Sequence, residues 1–329
     1  MVLSIRERLV RLLSQEQSGY VSGQWLSDEL SCSRTAVWKH IKQLEEEGYT
    51  FDAVPNKGYR LVALPKHMTE NTLRWNLSSD WLGQSIEHYP SIDSTQVRAH
   101  ERARAGADEG LVISADQQLN GRGRMQRPFD STDAKGVWLS FILRPQLAPT
   151  EAAKLTLVTA VALVDTFKQM INLDVKIKWP NDIYLNQKKI AGVLTEMEAE
   201  MDQIHYVIVG IGVNLNQRTS DFDPLLQDRV TSLFEETGET LDKQVFIQRL
   251  LETFEKWYTV FLTEGFVPIQ KEWNRYVFKL NQPVYFLKQN ERVKGLVQGL
   301  SAEGALVVVI EEHEHVKLYS SDIEWFRGE

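Results

Sequence analysis

The residues best equipped for chemistry lie in one short stretch, Gly121-Arg122-Gly123-Arg124-Met125-Gln126-Arg127. It holds two glycines, three arginines and no acid. Glycine lacks the Cβ that restricts a backbone, and arginine presents a fixed fork of donors that fits phosphate and carboxylate oxygens. Such residues at this spacing suit a loop that closes over an anionic ligand. Charge and glycine alone leave two other readings open, a nucleic-acid-binding arm and a solvated surface loop.

Polar groups elsewhere in the chain can meet such a ligand. Ser91-Ile92-Asp93-Ser94-Thr95-Gln96 leads into a helix over Val97 to Ala105. Ser94 and Thr95 stand at its entrance, where hydroxyls either cap the helix or face an anion; taken alone, the residues favour capping. Val175 to Trp179 alternates like a strand and ends at Pro180-Asn181-Asp182. A hairpin follows, Ile183-Tyr184-Leu185 returning as Lys189 to Glu196, with Lys189 at the start of the returning strand. Tyr206 to Asn214 is an apolar strand containing Gly210 and Gly212. Glycine inside a strand often marks the close approach of a ligand or another backbone.

Other chemistries lack their residues. There is no Walker lysine motif, no GxGxxG and no GxSxG elbow. The seven histidines are scattered, and His313 and His315 share a strand face without a third ligand, so no metal site is expected there. Arginines, one lysine and polar turns around glycine-bearing strands suit charge neutralisation better than acid–base work. A carboxylate attacking a phosphate brings two anions together, and catalysis of that step is largely positioning plus cationic stabilisation.

The whole chain bounds these readings. Its 329 residues allow two or three domains. A net charge of −8 argues against wholesale coating of nucleic acid, so any DNA contact needs a local basic patch. The single cysteine, Cys32, excludes an internal disulfide and fits a reducing compartment. The first residues lack the apolar core of a signal peptide, and no apolar run is long enough to span a bilayer. A cytoplasmic protein without membrane contact is expected.

The elements that position these residues begin with a different module. Ile5, Leu9, Leu12 and Leu13 recur at helical spacing; Ser22 caps a second helix with Trp25, Leu26 and Leu30 on its apolar face. Arg34 to Glu47 reads as a third helix, with Val37, Ile41 and Leu44 facing inward. Tyr49 to Val54 and Gly58 to Val62 form a hairpin about Pro55-Asn56-Lys57-Gly58. Three helices and a hairpin in this order make a winged helix-turn-helix. No acid occurs from Leu30 to Leu44, while Arg34, Lys39 and Lys42 are basic. Ser33, Arg34 and Thr35 would open the recognition helix, and Lys57 at the wing tip would meet phosphate. The alternative is a three-helix interaction module with a solvated face.

After this module come a short helix from Thr69, the strands and helix entrance described above, an apolar helix over Ala152 to Met170, and a last long helix over Leu241 to Leu262. Short strands then follow: Pro283 to Leu287, Arg292 to Leu300, Ala305 to Ile310 and His315 to Ser320. Their spacing predicts a small β-barrel.

Gly121-Arg122-Gly123-Arg124, Lys178-Trp179-Pro180-Asn181-Asp182, Lys189-Ile190-Ala191-Gly192 and Gly210-Ile211-Gly212-Val213-Asn214 follow one another in the order and spacing of biotin protein ligases. With the winged helix, essentially the whole chain resembles the bifunctional bacterial members that also repress a biotin operon. The resemblance implies an α+β protein: a winged helix-turn-helix at 1–65, a mixed-sheet biotin/lipoate-ligase-like catalytic core at 66–277 and an SH3-like barrel at 278–329. It implies that biotin and ATP, with Mg2+, yield biotinyl-5′-AMP, which acylates a lysine of the biotin carboxyl carrier protein of acetyl-CoA carboxylase. Operator DNA and a homodimer formed on adenylate binding are the other implied partners.

Roles carry over where residues match. Lys189, Arg122 and Arg124 would be catalytic. Ser94, Thr95, Gln118, Arg122, Lys189, Gly192, Leu194, Gly210 and Gly212 would line the biotin site. Arg124, Arg127, Phe129, Trp138, Ser140, Asn181, Asp182 and Asn214 would serve ATP and the adenylate, with Asp182 the one candidate metal ligand. Gln96, Gln126 and Phe129 depart from the Asn, Gly and Trp common at those places. A biotin-sensing repressor without transfer activity, and a ligase for lipoate on a similar core, are the competing readings.

Overall fold

The computed structural model describes residues 5–15, 19–63, 65, 67–171, 173–289, 291–310, 314–319 and 323–325. His313 lies outside the described residues. The chain divides into two compact units, Met1–Leu77 and Ser78–Glu329.

The first unit contains α1 (Ile5–Gln15), α2 (Gly23–Glu29), α3 (Arg34–Glu46), the strands β1 (Thr50–Val54) and β2 (Gly58–Ala63), and α4 (Glu70–Arg74). Leu9, Leu13, Leu26, Leu30, Val37, Ile41 and Leu44 form its core. Removing these apolar side chains from water is the main favourable term holding the helices together. Ser22 and Ser33 accept the backbone N–H of Trp25 and Ala36, which satisfies donors that a helix start leaves open. Trp25 does not share the inner face of α2: it is 43% exposed, while Leu26 and Leu30 alone reach the core. Thr69 and Thr72 close a reciprocal cap on α4.

The wing depends on one glycine. Gly58 opens β2 with φ 115, and Val21 pairs with Tyr59 across it. A Cβ on Gly58 would stand 1.9 Å from the Val21 carbonyl oxygen. Both conformation and space demand glycine, so Gly58→Ala is expected to lower stability by about 2–4 kcal/mol through left-handed strain and overpacking. Chemical denaturation of the full chain would measure this; an unchanged transition would mean that the wing does not need this contact.

The second unit is built on a seven-stranded sheet ordered β3-β4-β5-β9-β8-β7-β6. In chain order these are β3 (Ser85–Ile92), α5 (Thr95–Arg104), β4 (Leu111–Gln118), β5 (Val137–Leu143), α6 (Pro149–Ala152), α7 (Lys154–Ile171), β6 (Lys176–Lys178), β7 (Asp182–Leu185), β8 (Lys188–Ala199) and β9 (Ile204–Val213). Only β3 and β4 pair in parallel, joined through α5. Asn186 and Gln187 turn β7 into β8 with φ 48 and φ 67, the left-handed pair that a tight hairpin needs. Then come α8 (Leu233–Thr237), α9 (Lys243–Glu264) and α10 (Phe266–Arg275). The expected last long helix is thus followed by another, after Gly265 at φ 78 ends α9. Phe266, Ile269 and Trp273 are buried on α10, an i, i+3, i+7 stripe that was legible in the sequence.

Helices cover both faces of the sheet. Ala99 and Ala103 of α5 pack with Ile113, Ile142 and Ile208. Phe141, the neighbour of Ile142 on β5, packs instead against Phe254 of α9, the rings tilted with centroids 4.6 Å apart. Successive strand residues point to opposite faces, so α5 and α9 lie on opposite sides. No helix among the described residues is long and apolar enough to cross a membrane.

One ion pair ties the sheet to α9. Lys243 reaches Asp116 of β4 at 2.8 Å, and His88 of β3 lies 3.5 Å from the same carboxylate. Burial raises the Asp116 pKa, but the nearby His88 imidazole and the Lys243 ammonium outweigh it and hold the group below its usual value. A carboxyl depressed on folding contributes stability above its unfolded pKa of about 4 and loses it as pH falls toward the folded value. Asp116→Asn should therefore lower the Tm at neutral pH, and the gap from wild type should close in acid. A gap that does not depend on pH would contradict this pairing.

The remaining strands are β10 (Pro283–Lys288), β11 (Glu291–Leu300), β12 (Leu306–Val309), β13 (His315–Leu318) and β14 (Ile323–Glu324). They form an antiparallel sheet ordered β13-β12-β11-β10-β14. Among the described residues β13 and β14 remain its edges, so the expected barrel is an open SH3-like sheet here. Trp179 donates to the Gly304 carbonyl at 3.3 Å, which fastens this sheet to the core.

Candidate active site

A cavity of about 950 Å³ opens over the central sheet. Its volume is at the upper end for small-molecule sites, so it has room for more than one small group. The arginine loop, the entrance of α5, the start of β8 and the glycines of β9 all reach it.

One end is built of short polar side chains. Ser94, Thr95, Gln118 and Ser140 line it and are buried, so Ser140, expected with the nucleotide, stands beside Thr95 instead. The backbone N–H and the hydroxyl of Thr95 both lie on Gln118 Oε1, at 2.8 and 3.0 Å. The Gln118 amide nitrogen donates to Ser131 at 3.1 Å, and Ser131 donates to the Phe129 carbonyl. Ser94 occupies the N-cap position of α5 but makes no side-chain cap bond. Its hydroxyl is buried without a partner. The capping expected of Ser94 is therefore not made. A buried hydroxyl without a hydrogen bond is costly, and this one lies on the cavity wall.

The other end is cationic. Hydrogen bonds from Gly123 N to Arg127 O and from Phe129 N to Gly121 O fold the arginine loop back on itself. Met125 and Gln126 at its tip have φ 55 and φ 58. A Gln in this left-handed conformation explains why glycine suits that position. Arg122, Arg124 and Arg127 all line the cavity. Among the described residues none of the three pairs with a carboxylate; Arg124 reaches only Asn181 Oδ1, at 3.5 Å. Asn181 itself donates to the Val193 carbonyl, which holds its side chain against β8.

Lys189 enters from β8. Its Nζ lies 2.7 Å from Asp182 Oδ1 and 5.6 Å from the Phe129 ring centre. Gly192 is bare beside it: a Cβ there would stand 3.0 Å from that Nζ. Phe129 lies against Gly212, where a Cβ would stand 2.5 Å from the ring. Leu194 and Gly210 complete this wall.

Two expected lining residues stand elsewhere. Trp138 is buried behind Phe129, edge to face at 5.8 Å, with its indole N–H on the Asp133 carbonyl. It supports the aromatic ring and does not line the cavity. Asn214 donates to the Thr231 carbonyl and ties the end of β9 to the loop before α8. Its side chain is spent on structure. Conversely, Gln96 and Lys178, which the sequence marked only as a departure and as part of a motif, line the cavity, and so do Arg229 and the C-terminal residues Phe286, Leu287 and Trp325, which were not singled out. These last four come from far along the chain and carry no local signal.

No cluster of three or more His, Cys, Asp or Glu that could hold a metal occurs among the described residues. The carboxylates on the cavity wall are already paired, Asp182 with Lys189 and Glu324 with Arg292. A magnesium ion fits this donor set only as a companion of bound phosphates, with Asp182 the nearest protein oxygen on the lysine side.

In the first unit Ser33, Arg34, Thr35, Lys39 and Lys42 are exposed on α3, and Lys57 is exposed at the wing tip. Lys42 pairs with Glu45 at 2.6 Å, which leaves Arg34 and Lys39 as the basic side chains of the helix without an ion pair among the described residues.

Known proteins match along the same divisions. A model described as the Biotin/lipoate A/B protein ligase family matches residues 89–214, an HTH domain model matches 5–60, and a Biotin protein ligase C terminal domain model matches 279–325. The class is thus a biotin or lipoate protein ligase core preceded by a DNA-binding module. The Bifunctional ligase/repressor BirA of Bacillus subtilis (strain 168) is 42% identical over 322 residues, 98% of each chain. That of Escherichia coli (strain K12) is 28% identical over 301 residues, 92% of this chain and 91% of the relative. A biotin protein ligase from Aquifex aeolicus in complex with biotin and ATP superposes with TM-score 0.65 at 27% identity, covering 73% of this chain and 99% of that one. The chain belongs to the biotin protein ligase family, with the bifunctional ligase/repressors.

Proposed function

We propose that this protein is an ATP-dependent biotin protein ligase that also represses transcription in response to biotin. The observation that carries the reading is a single cavity with unpartnered buried hydroxyl chemistry at one end and three unpaired arginines at the other. A carboxylic acid with a polar head suits the first end and a nucleotide the second.

In the first step a biotin carboxylate oxygen attacks the α-phosphorus of ATP, and the bond to pyrophosphate breaks. Lys189 offsets the charge where the two anions meet, and Arg122 and Arg124 hold the new adenylate under the loop. Arg127 and Phe129 flank the nucleotide, with Trp138 bracing Phe129. Asn181 orients Arg124, and Asp182 holds Lys189. Magnesium, carried on the phosphates, would neutralise the leaving pyrophosphate. In the second step the amine of a carrier lysine attacks the acyl carbonyl and releases AMP. The acceptor is the carboxyl carrier protein of acetyl-CoA carboxylase.

The repressor half works through the winged helix, with Ser33, Arg34, Thr35 and Lys39 on α3 facing operator DNA and Lys57 on phosphate. We assign the modules to 1–65, 66–277 and 278–329, place the protein in the cytoplasm, and take the DNA-binding form as a homodimer made when the adenylate orders the arginine loop. Equal operator affinity with and without adenylate would refute that switch.

The test of the ligase is biotin-dependent ATP–pyrophosphate exchange, followed by transfer to a carrier domain. The matched family also covers lipoate ligases, so lipoate is the control: exchange with lipoate and none with biotin would move the assignment there. Silence with both would leave a DNA-binding sensor.

A further inference from the structure

The cavity's polar end is wired to a carboxylate that does not line it. Glu196 lies on β8, two residues beyond Leu194. Its Oε2 accepts the Gln96 amide N–H at 2.9 Å and lies 3.2 Å from His100 Nε2. On its other side the Gln96 Oε1 accepts the Ser140 hydroxyl at 3.0 Å. Ser140 Oγ lies 2.9 Å from Thr95 Oγ1.

We propose that Glu196 is a positioning residue for the acyl substrate, because it fixes the orientation of the Gln96 amide and so the direction of the hydroxyls of Ser140 and Thr95. The proposal rests on reading the Ser94–Thr95–Gln118 end as the biotin end. A carboxylate has no proton to give, so the amide must turn its NH2 toward Glu196. Its carbonyl then faces Ser140 and takes that residue's single proton. The Ser140 oxygen is left as an acceptor, and the Thr95 proton has only acceptors around it, Ser140 Oγ and Gln118 Oε1. The hydroxyl without a partner at this end is that of Ser94. A free hydroxyl donor beside hydroxyl oxygens that can still accept suits a ureido group, which carries one carbonyl and two N–H bonds.

The setting keeps Glu196 ionised. The His100 hydrogen bond holds its carboxyl below the usual range, against burial, with Gln96 and the charge of Arg122 adding to it. His100 is in turn faced by Tyr206 of β9 at 3.1 Å, and Tyr206 donates to Glu198, which pairs with Arg104. Gly210 makes room for the reach of Gln96: a Cβ there would stand 2.3 Å from Gln96 Oε1.

Losing the carboxylate frees the amide to flip and the hydroxyls to reverse. The test measures biotin binding by calorimetry without ATP, and KM values in the exchange assay, on full-length protein. Glu196→Leu is expected to weaken biotin roughly 10- to 30-fold, while the ATP KM and the kcat at saturating biotin stay within about twofold. Glu196→Gln should restore most of the affinity, since an amide oxygen still accepts both hydrogen bonds. Gln96→Leu, which removes the amide itself, gives a second variant should Glu196→Leu not fold, and should show the same biotin-selective loss. Wild-type biotin affinity in either leucine variant overturns the proposal, as does a parallel change in biotin KM, ATP KM and Tm. Wild-type protein that binds no biotin overturns the reading of this end of the cavity, whatever the variants do.

Discussion

Replacing Lys189 with alanine is expected to lower biotin-dependent ATP–pyrophosphate exchange by about 10²–10³-fold, the usual scale for removing one preorganised charge-stabilising group. Two effects act in the same direction. The ammonium group that offsets the approach of carboxylate to phosphate is lost. The Asp182 carboxylate, 2.7 Å from Nζ in the intact protein, is uncovered and adds a negative charge to a site about to receive two anions. The second effect is separable: Lys189→Ala with Asp182→Asn should recover about fivefold of the loss, a coupling of the size seen between residues in direct contact. The fold should tolerate these changes, because both side chains reach the cavity. Exchange that survives in Lys189→Ala within about tenfold of wild type would remove Lys189 from the chemical step.

Reversing two charges on α3, Arg34→Glu with Lys39→Glu, is expected to weaken operator binding by about 10²–10³-fold and to flatten its salt dependence, while exchange activity is unchanged. Each good base or phosphate contact is worth about 1–3 kcal/mol, and each phosphate contact contributes close to one unit of salt slope. The separation of functions follows from where the residues lie. Both belong to the Met1–Leu77 unit, and every residue lining the cavity belongs to Ser78–Glu329. Neither charge reaches the α3 core of Val37, Ile41 and Leu44, so folding is not at stake. A gel-shift or anisotropy titration over a range of salt, beside the exchange assay, reads both halves. Full operator affinity in the double variant would move the DNA contact off this helix.

Much of this molecule was legible in its local chemistry. The α3 helix was marked by Ser33 before an apolar i, i+4, i+7 series, and the hairpins by turn residues with the right strands on either side. The three arginines and Lys189 were marked by charge set among glycines. Short-range rules decide such features, since capping, turn geometry and side-chain period depend on neighbours a few residues apart.

Other features were decided by residues that meet only in the folded chain. Whether Ser94 caps α5 or faces a cavity depends on Thr95 turning to Gln118, more than twenty residues away. Trp138 reads as a binding residue until β5 buries it behind Phe129. Asn214, at the end of a glycine-bearing motif, is claimed by Thr231. The Gln96–Glu196 bond joins residues 100 positions apart and needs Gly210 bare beneath it. By itself the sequence determined the kinds of module, their order and the cationic loop, because those follow from composition and period. Only the tertiary structure decided which polar groups are free to meet a ligand, because a hydrogen bond made inside the protein removes a group from the site as surely as a mutation would.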